Sequence, residues 1–171
     1  MSEQNYAFKD YEKEKMARSI AKNLGISTKK TIEVCSFIRG KKIRSARNFL
    51  NRVLKMEDAV PYKRFNQELA HNQRGPSGYP IKVVKEVLKL IGDAEANAKA
   101  KGLNPENLKI LHISANRGSH AMHYGRQRRR MMKRTHLEIV LQEIAAPASK
   151  KASAEKKTPD SSKKSETKKP E

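Results

Sequence analysis

The chain has 171 residues, of which 38 are Lys or Arg and 18 are Asp or Glu, giving a formal net charge of +20. Apolar residues make up 36% and charged residues 33%, against roughly 45–50% and about 25% in an ordinary globular protein, so the core is modest and the excess of cations calls for a polyanionic partner. No run approaches the ~18 apolar residues of a membrane span, the polar start has no signal-peptide character, and a single cysteine, Cys35, excludes an internal disulfide or a cysteine metal cluster.

In chain order, a short strand is expected near Tyr6 to Lys9, followed by a helix over Glu12 to Leu24. Ser27 and Thr28 stand where an N-cap would serve TKKTIEVCSFI, in which Ile32, Cys35 and Ile38 recur at helical spacing before Gly40 stops the helix. Ala46, Phe49, Leu50, Val53 and Leu54 fall at i, i+3, i+4, i+7 and i+8, the pattern of a second helix burying one stripe. From Glu57 to Pro80, prolines and glycines break the pattern and predict a basic loop that carries Lys63 and Arg64. Ile81, Val84, Leu88 and Ile91, with Val87, Ala94 and Ala98 beside them, predict the longest helix, ended by Gly102. Beyond Pro105 the period changes to two, around Leu108 to Ile113 and Leu137 to Gln142, which predicts two antiparallel strands. The expected fold is α+β: three or four helices packed on a small antiparallel sheet in a single domain over 1–146. It carries a long protruding β-hairpin over about 108–144, and a disordered Lys-rich tail follows over 147–171. The tail has eight lysines, four acids and no aromatic or branched aliphatic side chain, a composition that cannot build a core.

The stretch between the two strands narrows the function. From Arg117 to Arg134 it holds seven fixed cations, Arg117, Arg126, Arg128, Arg129, Arg130, Lys133 and Arg134, and no acid. At about 3.4 Å per residue an extended arm from Leu108 to Tyr124 spans on the order of 55 Å, whereas a compact body of about 110 residues is only about 35 Å across, so an extended tip projects. Guanidinium groups bind phosphate bidentately and stack on bases, and His120, His123 and Tyr124 add planar surfaces. The ribbon therefore reads as an RNA-binding element that a partner must order, since an isolated hairpin is marginal in water. A second basic patch frames the first helix, with Lys29 and Lys30 at its start and Arg39, Lys41, Lys42 and Arg44 at its end; solvated rim and phosphate contact are both open for it.

Catalytic readings fare worse. His120, His123 and His136 make a poor metal set, because the first two would face opposite sides of a strand with no carboxylate or thiolate close in sequence. Cys35 lies on an apolar stripe and reads as a small buried hydrophobe. No phosphate-cradling glycine loop, paired-carboxylate motif or nucleophile elbow is present, so no cofactor, metal or enzymatic activity is expected. The rivals are a DNA-binding, nucleoid-type basic protein, for which no clear recognition helix or dimer-forming heptad is seen, and a cationic membrane-surface protein, for which no basic amphipathic helix exposes Trp, Phe and Leu.

ISTKKTIEVCSFIRGKKIRSARNFL, AVPYKRFN, KVVKEVLKLIGDAEANAKAKGL, LKILHISANRG and YGRQRRRMMKRTHLEIVLQE, in this order over about Tyr6 to Glu143, resemble the universal large-subunit ribosomal protein L-twenty-two family in its archaeal and eukaryotic form. The resemblance implies a cytoplasmic protein in the large ribosomal subunit, with a small α+β body bound to large-subunit ribosomal RNA. It also implies a long hairpin reaching toward the nascent-peptide exit tunnel, a role in subunit assembly, and as further partners the neighbouring large-subunit ribosomal proteins near the tunnel and the nascent polypeptide at the hairpin tip. By position it places the seven ribbon cations in the hairpin and Lys29, Lys30, Arg39, Lys41 and Lys42 in the body patch. The tip AMHYGR keeps Gly125 and Arg126 of the family pattern but lacks its Pro-Arg-Ala element.

Overall fold

A computed structural model of the protein describes residues 6–144 with the exception of residue 73; the tail expected over 147–171 lies outside the described residues. The elements run β1 (Met16–Leu24), α1 (Thr28–Ile38), α2 (Ile43–Leu54), β2 (Val60–Pro61), β3 (His71–Asn72), β4 (Gly75–Gly78), α3 (Ile81–Ala100), β5 (Leu108–Arg117) and β6 (Thr135–Glu143). The main sheet is antiparallel in the order β1-β6-β5, and the short strands β2, β4 and β3 make a second small sheet inside the loop. This is the expected α+β class, with three α-helices.

The N-terminal expectations are corrected. Residues 16–24 form a strand, not a helix, and Tyr6 to Lys9 run outside any ladder. The cause lies in side-chain size: in MARSIAKNL the inward positions are Ala17 and Ser19, both buried, so alternation is present but carries little hydrophobic contrast. Small residues suit this place because α3 packs against β1, and α3 brings the buried Ala94 and Ala98. The contact is sealed by polar groups at the sheet edge, Asn97 Nδ2 donating to Arg18 O at 3.0 Å and Lys101 Nζ to Met16 O at 3.0 Å.

The helices on the other side of the core lie close to expectation. In α1 the inward face is Thr31, Glu33, Val34, Cys35 and Ile38, with Ile32 only half-buried. Ser27 is the N-cap but makes no side-chain cap bond. Gly40 ends the turn with φ of +77°, a conformation costly for residues with a Cβ. In α3 the buried stripe runs through Val84, Val87, Ile91, Ala94 and Ala98, while Ile81 and Leu88, expected at its centre, sit at its half-buried margins. These faces close over Ile110 and Ile113 of β5 and Leu137, Ile139 and Leu141 of β6, all fully buried. Burying one such side chain contributes about 1.5–3 kcal/mol, and this cluster fixes the sheet from which the hairpin leaves.

The outer face of the sheet is covered by the chain's own start. Glu138, 4% exposed, accepts the backbone N–H groups of Ala7 at 2.9 Å and Phe8 at 3.2 Å, and the Phe8 ring lies 5.2 Å from that of His112. The Arg18 guanidinium is held between the rings of Tyr6, at 4.1 Å, and Tyr11, at 4.4 Å.

β5 and β6 pair from Leu108↔Glu143 to Arg117↔Thr135. Beyond Arg117 the arms are no longer regular strands, which corrects the placement of His120 and His123 on one. They continue as a narrow ribbon through Gly118 N–H to Arg134 O at 3.0 Å, Met132 N–H to Ala121 O at 2.8 Å and His123 N–H to Arg130 O at 2.8 Å. A single bridge pairs Met122 with Met131, and a 3-10 turn over Gly125–Gln127 closes the tip.

Candidate nucleic-acid interface

The basic side chains form a body patch and a ribbon, and they are held differently. At the start of α1, Lys29 and Lys30 are exposed, and the fold brings Lys63 and Arg64 to them from a loop over thirty residues away. The agent is Glu33. Its carboxylate, 2% exposed, accepts the N–H groups of Lys63 at 2.9 Å, Arg64 at 2.9 Å and Phe65 at 3.2 Å. A buried carboxylate is tolerated only with such partners; here it is the pin that fixes the loop. Lys29 Nζ and the Arg64 guanidinium then lie 5.6 and 5.7 Å from the centre of the Phe65 ring, so two cations expected separately meet at one aromatic.

At the other end of α1, roughly 16 Å away by helical rise, residues 39–42 lie along the free edge of β5. Gly40 N–H donates to Ile110 O at 2.9 Å, Ile110 N–H to Lys41 O at 3.0 Å, and Lys42 bridges to Lys109. Arg39 Nη2 donates to Ile113 O at 2.8 Å. Lys41 Nζ lies over the Phe37 ring at 3.2 Å and 5.4 Å from that of Phe49. Burial, and then the Arg74 guanidinium, lower its pKa, while the ring faces favour the charged form; the ammonium is an internal cation more than a free phosphate ligand. Lys42 and Arg44 are exposed and line an open groove on α2 with Ser45, Asn48 and Arg52.

The ribbon has no such scaffolding. Arg117, His120, Tyr124, Arg126, Arg128, Arg129, Arg130 and Lys133 are exposed, and His123 is half-buried; Tyr124 reaches 87% exposure. Among the described residues the ion pairs are Lys15–Glu12, Arg47–Glu95, Arg52–Asp58 and Arg74–Asp58, none of which neutralises a ribbon cation. His120 Nδ1 donates to Met132 O at 2.6 Å, a contact within the ribbon itself. Arg134 is the exception: its guanidinium turns back toward the body, with Nη1 3.5 Å from Asn23 O.

Three residues with a bearing on the site escaped the sequence reading. Glu33 sits beside the apolar stripe of α1, and an acid in that phase of an otherwise basic segment was the available signal. Lys109 follows the alternation of β5 and gave none. Arg52, together with Arg74, is tied to Asp58 at 3.0 and 3.4 Å. Elsewhere, burial pushes the Cys35 thiol up to about 12, which suits its place in the core and not a nucleophile.

Residues 19–142 match the family model described as Ribosomal protein L22p/L17e. Among curated relatives, the Large ribosomal subunit protein uL22 of Sulfolobus acidocaldarius is 36% identical over 156 residues, covering 84% of this chain and 100% of that protein. The uL22 proteins of Ignicoccus hospitalis and Archaeoglobus fulgidus are 40% and 39% identical, covering 77% and 82% of this chain and 90% and 96% of theirs.

Proposed function

The chain belongs to the ribosomal protein L22p/L17e family and is a structural ribosomal constituent; from that premise we propose that it has no enzymatic role, binds large-subunit ribosomal RNA, supports assembly of that subunit and extends its hairpin toward the nascent-peptide exit tunnel. Neighbouring large-subunit proteins, and the nascent polypeptide at the tip, are its further partners in this reading. No described helix is long and apolar enough to cross a membrane, and the proposed place of the protein is the large subunit in the cytoplasm.

One observation carries the reading: a ribbon with seven cations and no acid, six of them exposed, standing on a body in which Arg39 is bonded to a strand carbonyl and Lys41 rests on phenylalanine rings. Such a ribbon repels itself in isolation, and phosphate oxygens remove that repulsion while counterions are released. The body patch then serves to set register, as phosphate contacts do. Sedimentation of a cell lysate through a sucrose gradient tests this. Comigration with the large subunit at moderate and high salt is the expected result; absence from that peak would overturn the reading.

A further inference from the structure

The root of the ribbon is built unlike either end of it. Between Ala21 and Leu24 the pairing of β1 with β6 shifts register, and Asn23 sits in the left-handed region with φ of 57°. A bulge leaves main-chain groups without ladder partners. Here two side chains of the descending arm take them: His136 Nδ1 accepts from Asn23 N–H at 3.2 Å, and Arg134 Nη1 approaches Asn23 O at 3.5 Å.

Successive side chains of an extended arm point to opposite faces, and the residue between these two is also held. Thr135, fully buried, donates through Oγ1 to Ile26 O at 3.0 Å and accepts from Thr28 Oγ1 at 2.8 Å. On the ascending arm, Gly118 pairs with Arg134 O, and a side chain there would need its neighbours to give by a few tenths of an ångström. A Cβ there would lie 3.0 Å from His136 Nε2, 3.2 Å from Arg134 Cβ and 3.2 Å from Asn23 Oδ1.

We propose that Asn23, Gly118, Arg134, Thr135 and His136 form a clamp that aims the hairpin relative to the body, with Arg134 a positioning residue and not a phosphate ligand. The proposal rests on the RNA-binding reading above and assigns a task within it. The ribbon and the body patch must engage one rigid RNA surface together, and a fixed angle between them removes the ordering cost from the second contact. A guanidinium engaged with a main-chain carbonyl serves that end better than a solvated one.

The test uses the full chain with nitroxide labels at Ser119→Cys, exposed and directly beyond the clamp, and Asp93→Cys in a Cys35→Ala background, combined with the salt dependence of binding to large-subunit ribosomal RNA. The parent should give one narrow distance peak. Gly118→Ala and Arg134→Gln should each broaden that peak at least about twofold and weaken binding about tenfold, while leaving the slope of log affinity against log salt unchanged. Arg134→Lys, which keeps the charge, should behave like Arg134→Gln. If Arg134→Gln instead keeps the narrow peak and lowers the slope magnitude by roughly 0.7–0.9, with Arg134→Lys restoring it, Arg134 is a phosphate ligand and the proposal fails. A broad peak in the parent defeats it too. A flat salt dependence in the parent would strike the RNA reading alone, since the distance peaks are read without RNA.

Discussion

The body patch and the ribbon carry the same kind of charge and differ in who holds it. In the body, Lys63 and Arg64 stand on a loop pinned by Glu33, Arg39 is bonded to a strand carbonyl, and Lys41 rests on two phenylalanine rings. The work of ordering these groups is done when the core closes. In the ribbon, Arg126 and Arg128 to Arg130 meet neither carboxylate nor ring among the described residues, and the backbone bonds that shape the tip join only its own two arms. Their conformational entropy, on the order of 2 kcal/mol for each long side chain, is lost only when a partner arrives. The body is thus a preformed template and the ribbon an element completed by RNA, and the two should respond differently to substitution.

The largest expected effect breaks the ribbon alone. Changing Arg128, Arg129 and Arg130 together to Glu should lower affinity for large-subunit RNA by roughly two orders of magnitude or more and abolish incorporation into the subunit. The melting temperature should move little, since exposed substitutions cost within about 0.5 kcal/mol each. Gradient sedimentation and a thermal melt check both halves, and equal incorporation of the variant would take the ribbon out of the account.

The converse experiment breaks the template. Glu33→Ala removes the acceptor of three part-buried hydrogen bonds and should cost about 3 kcal/mol of stability, read by urea titration, with Glu33→Gln losing less because its amide oxygen still accepts. Ribbon-dependent binding by the folded fraction should survive. A Glu33→Ala chain as stable as the parent would show that the loop is held by something else.

A smaller effect comes from pH. Burial raises both the Cys35 thiol and the Tyr62 phenol to about 12 from ordinary values of 9.0 and 10.0, Glu33 adding to the rise at Tyr62. With the folded values raised, the folded state keeps protons that the unfolded state loses. The stability linked to these groups is therefore full below pH 9 and falls as pH climbs toward about 12, by about 1–2 kcal/mol at pH 10. Chemical denaturation at pH 8 and 10 measures it, and Cys35→Ala should remove the greater part. Smallest of all, Lys41→Met should keep the packing on Phe37 and Phe49 and leave the salt slope of RNA binding unaltered; a fall of roughly 0.7–0.9 in its magnitude would return Lys41 to the phosphate contacts.

Legibility in the sequence follows the size of the side chains that carry each signal. The α2 stripe and the β6 alternation are drawn in Leu, Ile, Val and Phe, and the structure places them where the periodicity does; in β5 a register shift between Ile110 and His112 moves the inward side to Ile113 and turns His112 toward Phe8. Strand β1 is drawn in Ala17, Ser19 and Ala21, whose small volumes give alternation no contrast, so the pattern predicts a helix there although Ala17 and Ser19 are buried and Ala21 is half-buried. The ribbon declared itself by composition, because seven cations without an acid need no periodicity to be seen. The scaffolding of the body patch did not, because Glu33 reaches its partners across thirty residues of sequence and Arg134 differs from its neighbours only in what the fold sets beside it. Charge is readable one residue at a time, while its restraint is a property of the folded chain.

The most direct test of the central claim is the salt dependence of binding between the full chain and large-subunit ribosomal RNA. If about six cations, the ribbon's seven without Arg134, reach phosphates, log affinity should fall with log salt at a slope of magnitude roughly 4 to 5, dropping by about 2 to 3 in the Arg128, Arg129 and Arg130 charge-reversal variant. A flat dependence, or one that the ribbon variant leaves unchanged, would contradict the account.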